Sequence, residues 1–161
     1  MICTRKKKQF ATQENQGGKN NLMNVYLDID GVIVGTASPQ EDIVELLEYI
    51  LGQYPHSAYW LTTHCRWGEN RCADWLEQNG LPSGLVARLA GQVNPTHWKT
   101  LKTEAIDFGV PFVWLEDTPL YSERAVLQQH HALDSICIMN KKDEKMALKA
   151  LAFLKERGNP S

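Results

Sequence analysis

Short apolar runs that end in acids or threonines recur along this chain, each followed by a longer amphipathic stretch. Residues 24–29 form a β-type run that closes on Asp28 and Asp30. Residues 57–61 lead into Thr62 and Thr63, residues 111–115 lead into Glu116 and Asp117, and residues 135–139 form a fourth run. Between them the spacing predicts helices over 41–53, 69–79, 99–108, 120–130 and 144–157. The first follows the start signal Ser38-Pro39 and turns Ile43, Leu46, Leu47 and Ile50 to one side; the second is closed by Gly80; the last has Leu148, Leu151 and Leu154 inward. Residues 84–87 read as a further short strand. Strands alternating with helices specify an α/β chain with a mostly parallel central sheet covered on both faces. In such sheets ligands bind beyond the carboxyl ends of the strands, beside the point where strand order reverses.

A length of 161 residues suits one core, and 43% hydrophobic with 22% charged residues argues against disorder of the whole chain. No apolar run is long enough to cross a bilayer, so no membrane partner is expected. Residues 1–8 lack the apolar stretch of a secretory signal, and a cytoplasmic location follows as the expectation. Charge is unevenly spread. Arg5, Lys6, Lys7, Lys8 and Lys19 against Glu14 give residues 1–22 a formal +4, leaving −6 on the other 139 residues of a chain that totals −2. Residues 1–22 read as a flexible basic tail and residues 23–161 as a single catalytic domain. The tail can meet an anion such as nucleic acid, but a body at −6 is not that of a dedicated nucleic-acid binder. Cys3, Cys65, Cys72 and Cys137 lack C-x-x-C spacing and read as reduced thiols rather than a zinc site.

The strand ends carry the chemistry. Asp28 and Asp30 stand two residues apart in an extended segment and so project to the same side, where their repulsion calls for a cation between them. Gly31 lets the backbone turn sharply just beyond. Glu116 and Asp117 bring further carboxylates to the same rim, and clustered oxygen ligands suit Mg²⁺. A metal beside a free carboxylate implies phosphoryl chemistry. Asp28 can attack phosphorus to give an aspartyl-phosphate, and Asp30 can protonate the leaving oxygen and later deprotonate the hydrolytic water. Thr62 and a lysine, Lys102 or Lys99, offset charge on the transferring group. A calcium-loop reading of Asp-x-Asp-Gly fails on the apolar Ile29, Val32, Ile33 and Val34. Trp60, Trp75 and Trp114 read as core; Trp67 and Trp98 lie beside loops near the rim. Thr63 and His64 read as helix caps or pocket lining.

In order and wording these residues resemble the four motifs of the haloacid dehalogenase-like hydrolases. Asp28-Ile29-Asp30-Gly31-Val32 looks like the first motif, Trp60-Leu61-Thr62-Thr63 the second, Lys102 in Lys102-Thr103-Glu104-Ala105-Ile106 the third, and Phe112-Val113-Trp114-Leu115-Glu116-Asp117 the fourth. The resemblance spans residues 23–157 and is nearest to a small capless branch that includes the module of bacterial RNA-repair proteins. It implies a Rossmann-like three-layer sandwich. It also implies Asp28, Asp30, Thr62 and Lys102 as catalytic residues, and Mg²⁺ held by Asp28, the backbone carbonyl of Asp30, Asp117 and Glu116. Glu116 stands where an aspartate is usual, which leaves open whether it or Asp117 is the main ligand.

The resulting expectation is a Mg²⁺-dependent phosphatase with a phosphorylated substrate. Two alternatives are a catalytically silent binding module on the same fold and a phosphatase acting on nucleic-acid ends. The intervals from Asp30 to Thr62 and from Thr62 to Lys102, where this family inserts its caps, are already filled by predicted elements. The site is therefore expected to be open, suited to a bulky substrate or to closure by a partner chain.

Overall fold

The computed structural model describes residues 22–158. The tail assigned to residues 1–22 lies outside them apart from Leu22, as does Cys3. Five strands, β1 (Asn24–Leu27), β2 (Ala58–Trp60), β3 (Asn94–Pro95), β4 (Phe112–Glu116) and β5 (Ile136–Ile138), form one sheet in the order β3-β2-β1-β4-β5. Every pairing is parallel. The α/β class and the Rossmann-like layering read from the sequence are what the chain adopts.

Strand burial follows the period of two. Val25, Leu27, Val113 and Leu115 face one side, into a core with Leu46, Leu47 and Ile50 of α1 (Gln40–Gln53), Leu76 of α2 (Cys72–Gln78), Leu89 of α3 (Ser83–Gln92) and Leu154 of α5 (Met146–Gly158). Tyr26, Phe112 and Trp114 face the other side, with Trp98, Ile106 and Leu127 of α4 (Tyr121–Gln129). Handedness accounts for the division of helices. The path β1 to β2 to β3 steps outward in one direction, and β4 to β5 steps the other way. Right-handed crossovers therefore place α1 to α3 on one face and α4 on the opposite face.

Helix α1 buries Ile43, Leu46, Leu47, Ile50 and Leu51, a single stripe at the 3.6-residue period, with Glu41 and Asp42 in its first turn where they complement the helix dipole. Leu47 is fully buried beneath the sheet. Leu47→Ala is expected to destabilise the fold by about 2–5 kcal/mol, read as a lowered urea midpoint with an unchanged slope.

Three elements differ from expectation. Residues 84–87 lie in helix α3, not a strand: four apolar-leaning residues cannot distinguish the two periods, and Leu85, Val86 and Leu89 together bury one helical face. Residues 99–108 supply only one 3-10 turn, Lys102–Ala105. The Glu104 carboxylate accepts from the N–H groups of Lys99, Thr100 and Leu101, and Asp107 N–H donates to the Tyr26 hydroxyl at 3.0 Å. The chain is thereby drawn into extended backbone at Ile106, which buries in the second core. In α5 the buried stripe is Ala147, Ala150, Leu151 and Leu154, and Leu148 lies about 100° round the helix from it, exposed.

No helix among the described residues is long and apolar enough to cross a membrane. Between β1 and β2 the chain supplies a tight loop and α1; between β2 and β3 it supplies a 3-10 turn (Thr63–Gly68), α2 and α3. Both intervals are thus spent on the sheet's own connections.

Candidate active site

Strand order reverses at β1, which has β2 on one side and β4 on the other. Strand β1 leads into Asp28, β2 leads through Leu61 into Thr62, and β4 ends on Glu116 with Asp117 next, so the rim expected from the sequence forms around the central strand. Asp28, Glu116 and Asp117 each offer a carboxylate oxygen, and these atoms lie within 4.8 Å of one another.

Asp28 sits at the end of the β1 ladder, its N–H donating to Leu115 O at 3.1 Å. Its Oδ1 accepts the Ile29 N–H at 2.8 Å, and its Oδ2 accepts from Lys102 Nζ at 2.8 Å. The same ammonium donates to Glu116 Oε2 at 2.6 Å, while Glu116 Oε1 accepts from Thr118 N–H at 3.2 Å. One buried cation thus faces two buried carboxylates. Burial, followed by the negative charge of Asp28, pushes Glu116 up to about 8. Burial alone would lower the Lys102 pKa, but the Asp28 and Glu116 carboxylates outweigh it and the net direction is upward.

The two lysines are placed differently. Lys102 reaches the acids, whereas Lys99 is exposed and takes part through its backbone, its N–H donating to Glu104 and its carbonyl accepting from the Arg66 guanidinium. Lys102 is fixed by a residue that local patterning did not single out. Its N–H donates to Glu123 Oε1 at 2.8 Å, and Glu123 Oε2 accepts from Leu120 N–H at 2.9 Å. Glu123 is a buried carboxylate at the third position of α4. A serine or threonine three residues earlier would have marked it as half of a capping box; Leu120 stands there instead.

Asp117 presses on the loop after β1. Gly31 has φ +76°, and a Cβ built on it would collide with the Asp117 carboxylate. Gly31→Ala is expected to cost about 2 kcal/mol from left-handed backbone strain alone, and roughly 4–8 °C in melting temperature. It should also weaken divalent-cation binding by displacing Asp117, which isothermal titration would read.

Thr62 is fully buried and caps the 3-10 turn, its Oγ1 accepting the His64 N–H at 3.4 Å. The hydroxyl keeps its own proton to donate. The Asp30 carboxylate is not part of the acidic cluster. It is about half exposed and contacts His64 and Trp75 instead. Its neighbour Trp75 packs against the first core as expected, but stays partly exposed where its indole N–H meets this carboxylate. The two rim tryptophans divide. Trp98 is buried, Trp67 is 60% exposed with φ +64°, and the Arg66 guanidinium lies over both rings at 4.6 and 4.7 Å from their centroids.

A hard divalent cation suits this donor set: it is all oxygen, and the acids outnumber the buried ammonium. No family model matches the chain, and no curated protein or solved structure matches it.

Proposed function

We propose that the chain is a phosphohydrolase of the haloacid dehalogenase-like type, a Mg²⁺-dependent phosphatase that works through an aspartyl-phosphate on Asp28. The observation that carries this reading is the Lys102 ammonium bridging Asp28 and Glu116 at the sheet's switch point, within one acidic cluster. Asp28 Oδ2 attacks phosphorus, and the bond from phosphorus to the leaving oxygen breaks. Lys102 holds that carboxylate oriented and offsets charge on the transferring group, and Thr62 donates its hydroxyl proton to a phosphoryl oxygen. Asp30, outside the cluster, gives a proton to the departing oxygen and then takes one from the water that hydrolyses the acyl-phosphate. Asp28, Glu116 and Asp117, with the Asp30 carbonyl, would hold the Mg²⁺, which would neutralise negative charge at the site when bound.

The substrate is a phosphate ester met at an open rim, and nucleic-acid ends remain within its range. Beryllium fluoride, a mimic of the aspartyl-phosphate, tests the reading. With Mg²⁺ and at a hundredfold excess over Kd it is expected to stabilise the protein by about 2.7 kcal/mol, or roughly 5–10 °C in a thermal melt. A panel of phosphorylated compounds, including nucleotides and 3′- or 5′-phosphorylated oligonucleotides, should contain an ester hydrolysed only when Mg²⁺ is present. No shift with beryllium fluoride and no hydrolysis across the panel would favour a silent module.

A further inference from the structure

Both oxygens of Asp30 are engaged by side chains to which the mechanism above gives no part. Trp75 Nε1–H donates to Oδ1 at 2.9 Å, and His64 Nε2 lies 2.8 Å from Oδ2. The two rings stack on each other, with centroids 4.9 Å apart and 24° between planes. Each is anchored from behind. The His64 N–H is held by Thr62 Oγ1, and its carbonyl accepts the Arg71 N–H at 2.9 Å. Trp75 stands in α2 between the buried Cys72 and Leu76.

An aspartate with its side chain 53% exposed would ordinarily turn freely in water, because the terminal torsion of a carboxylate is broad. Here two donors on separate elements fix the plane of the group. Indole N–H can only donate, so Oδ1 is the acceptor in its contact with Trp75. The imidazole nitrogen can serve as donor or acceptor according to tautomer, and it holds Oδ2 at 2.8 Å.

Resting on the phosphatase reading, we propose that His64 and Trp75 are positioning residues for the acid–base carboxyl, holding Asp30 in the orientation from which it protonates the leaving group. In that step the Asp28–phosphorus bond forms, the bond from phosphorus to the leaving oxygen breaks, and the Asp30 proton passes to that oxygen. The leaving group departs as a neutral alcohol or phenol, and Asp30 is left ionised. Packing alone would make the same residues matter equally for every ester. Orientation of an acid makes them matter only where the leaving group needs a proton.

The test compares kcat/KM, which reports the first phosphoryl transfer, on two esters of similar shape. Phenyl phosphate releases a phenol of pKa about 10 and needs the proton; 2,4-dinitrophenyl phosphate releases a far weaker base and does not. Relative to the full-length wild-type chain, His64→Ala and Trp75→Phe should each lower the phenyl-to-dinitrophenyl ratio about tenfold or more. His64→Gln, whose amide can reach the same oxygen, should restore most of the ratio. Trp75→Phe retains the ring stacked on His64 and so separates the hydrogen bond from the packing. Equal losses on both esters, or none on either, would overturn the positioning role while leaving the phosphatase reading standing. A wild-type protein that hydrolyses neither ester nor any member of the phosphorylated panel, and shows no shift with beryllium fluoride, overturns that reading, and this inference with it.

Discussion

Asp28→Asn is expected to remove turnover of an activated aryl phosphate by about 10⁴-fold or more, the scale seen when a catalytic nucleophile is deleted. The fold should persist. The donors Ile29 N–H and Lys102 Nζ sit on different oxygens of Asp28, so the single amide oxygen keeps one of these hydrogen bonds and the loss of the other costs about 1 kcal/mol. Charge balance is also preserved. The Asp28 carboxylate is one of the causes raising Glu116, so its removal lets Glu116 ionise more readily and pair with the Lys102 ammonium alone. The melting temperature should therefore move by only a few degrees while activity collapses. Stopped assays with the purified variant and circular dichroism melts check the two halves separately. Wild-type rates in the variant would remove Asp28 as nucleophile; a lost fold would mean that its charge is structural.

Lys102→Met should do the reverse, costing stability as well as activity. The methylene stem is replaced at similar volume, but the ammonium that donates at 2.8 and 2.6 Å to Asp28 and Glu116 is gone. The ammonium is what draws Glu116 down, so its loss drives Glu116 further toward its protonated form. The Asp28 carboxylate is left buried without its cation, a change that costs about 3–5 kcal/mol when one partner of a buried ion pair is removed. For a domain of this size that is a fall of roughly 10 °C in melting temperature. Because the penalty is a buried carboxylate that has lost its cation, Mg²⁺ should recover more stability in Lys102→Met than in wild type. Melts in chelator and in Mg²⁺ measure that difference. An equal metal effect in both proteins would mean that cation and ammonium do not share the same carboxylates.

The two variants show how far linear patterning reached. Asp28 was identifiable as the nucleophile candidate because its environment is local: an apolar β-run, an acid at its end, a glycine to turn the chain. Glu116 and Asp117 were visible for the same reason. The lysine was not, since Lys99 and Lys102 share a segment in which several N–H groups are claimed by the Glu104 side chain and helix formation is cut short. The contacts with Asp28, 74 positions earlier in the chain, and with Glu116, 14 positions later, distinguish them.

The same boundary runs through the rest of the molecule. By itself the sequence determined the α/β class, four of the five strands and the carboxylates at their ends, because two-residue periodicity and strand-end chemistry are properties of consecutive residues. Tertiary structure decided that residues 84–87 belong to a helix, since a four-residue apolar run acquires a period only from what it packs against. It also decided that Glu123 supports Lys102 from 21 positions away, and that Asp30 is held by His64 and Trp75 across 34 and 45 positions. These are hydrogen bonds between side chains or backbone groups on different elements. Their existence depends on which strand ends lie side by side, and that is fixed by the crossovers that bring β2 and β4 to either side of β1.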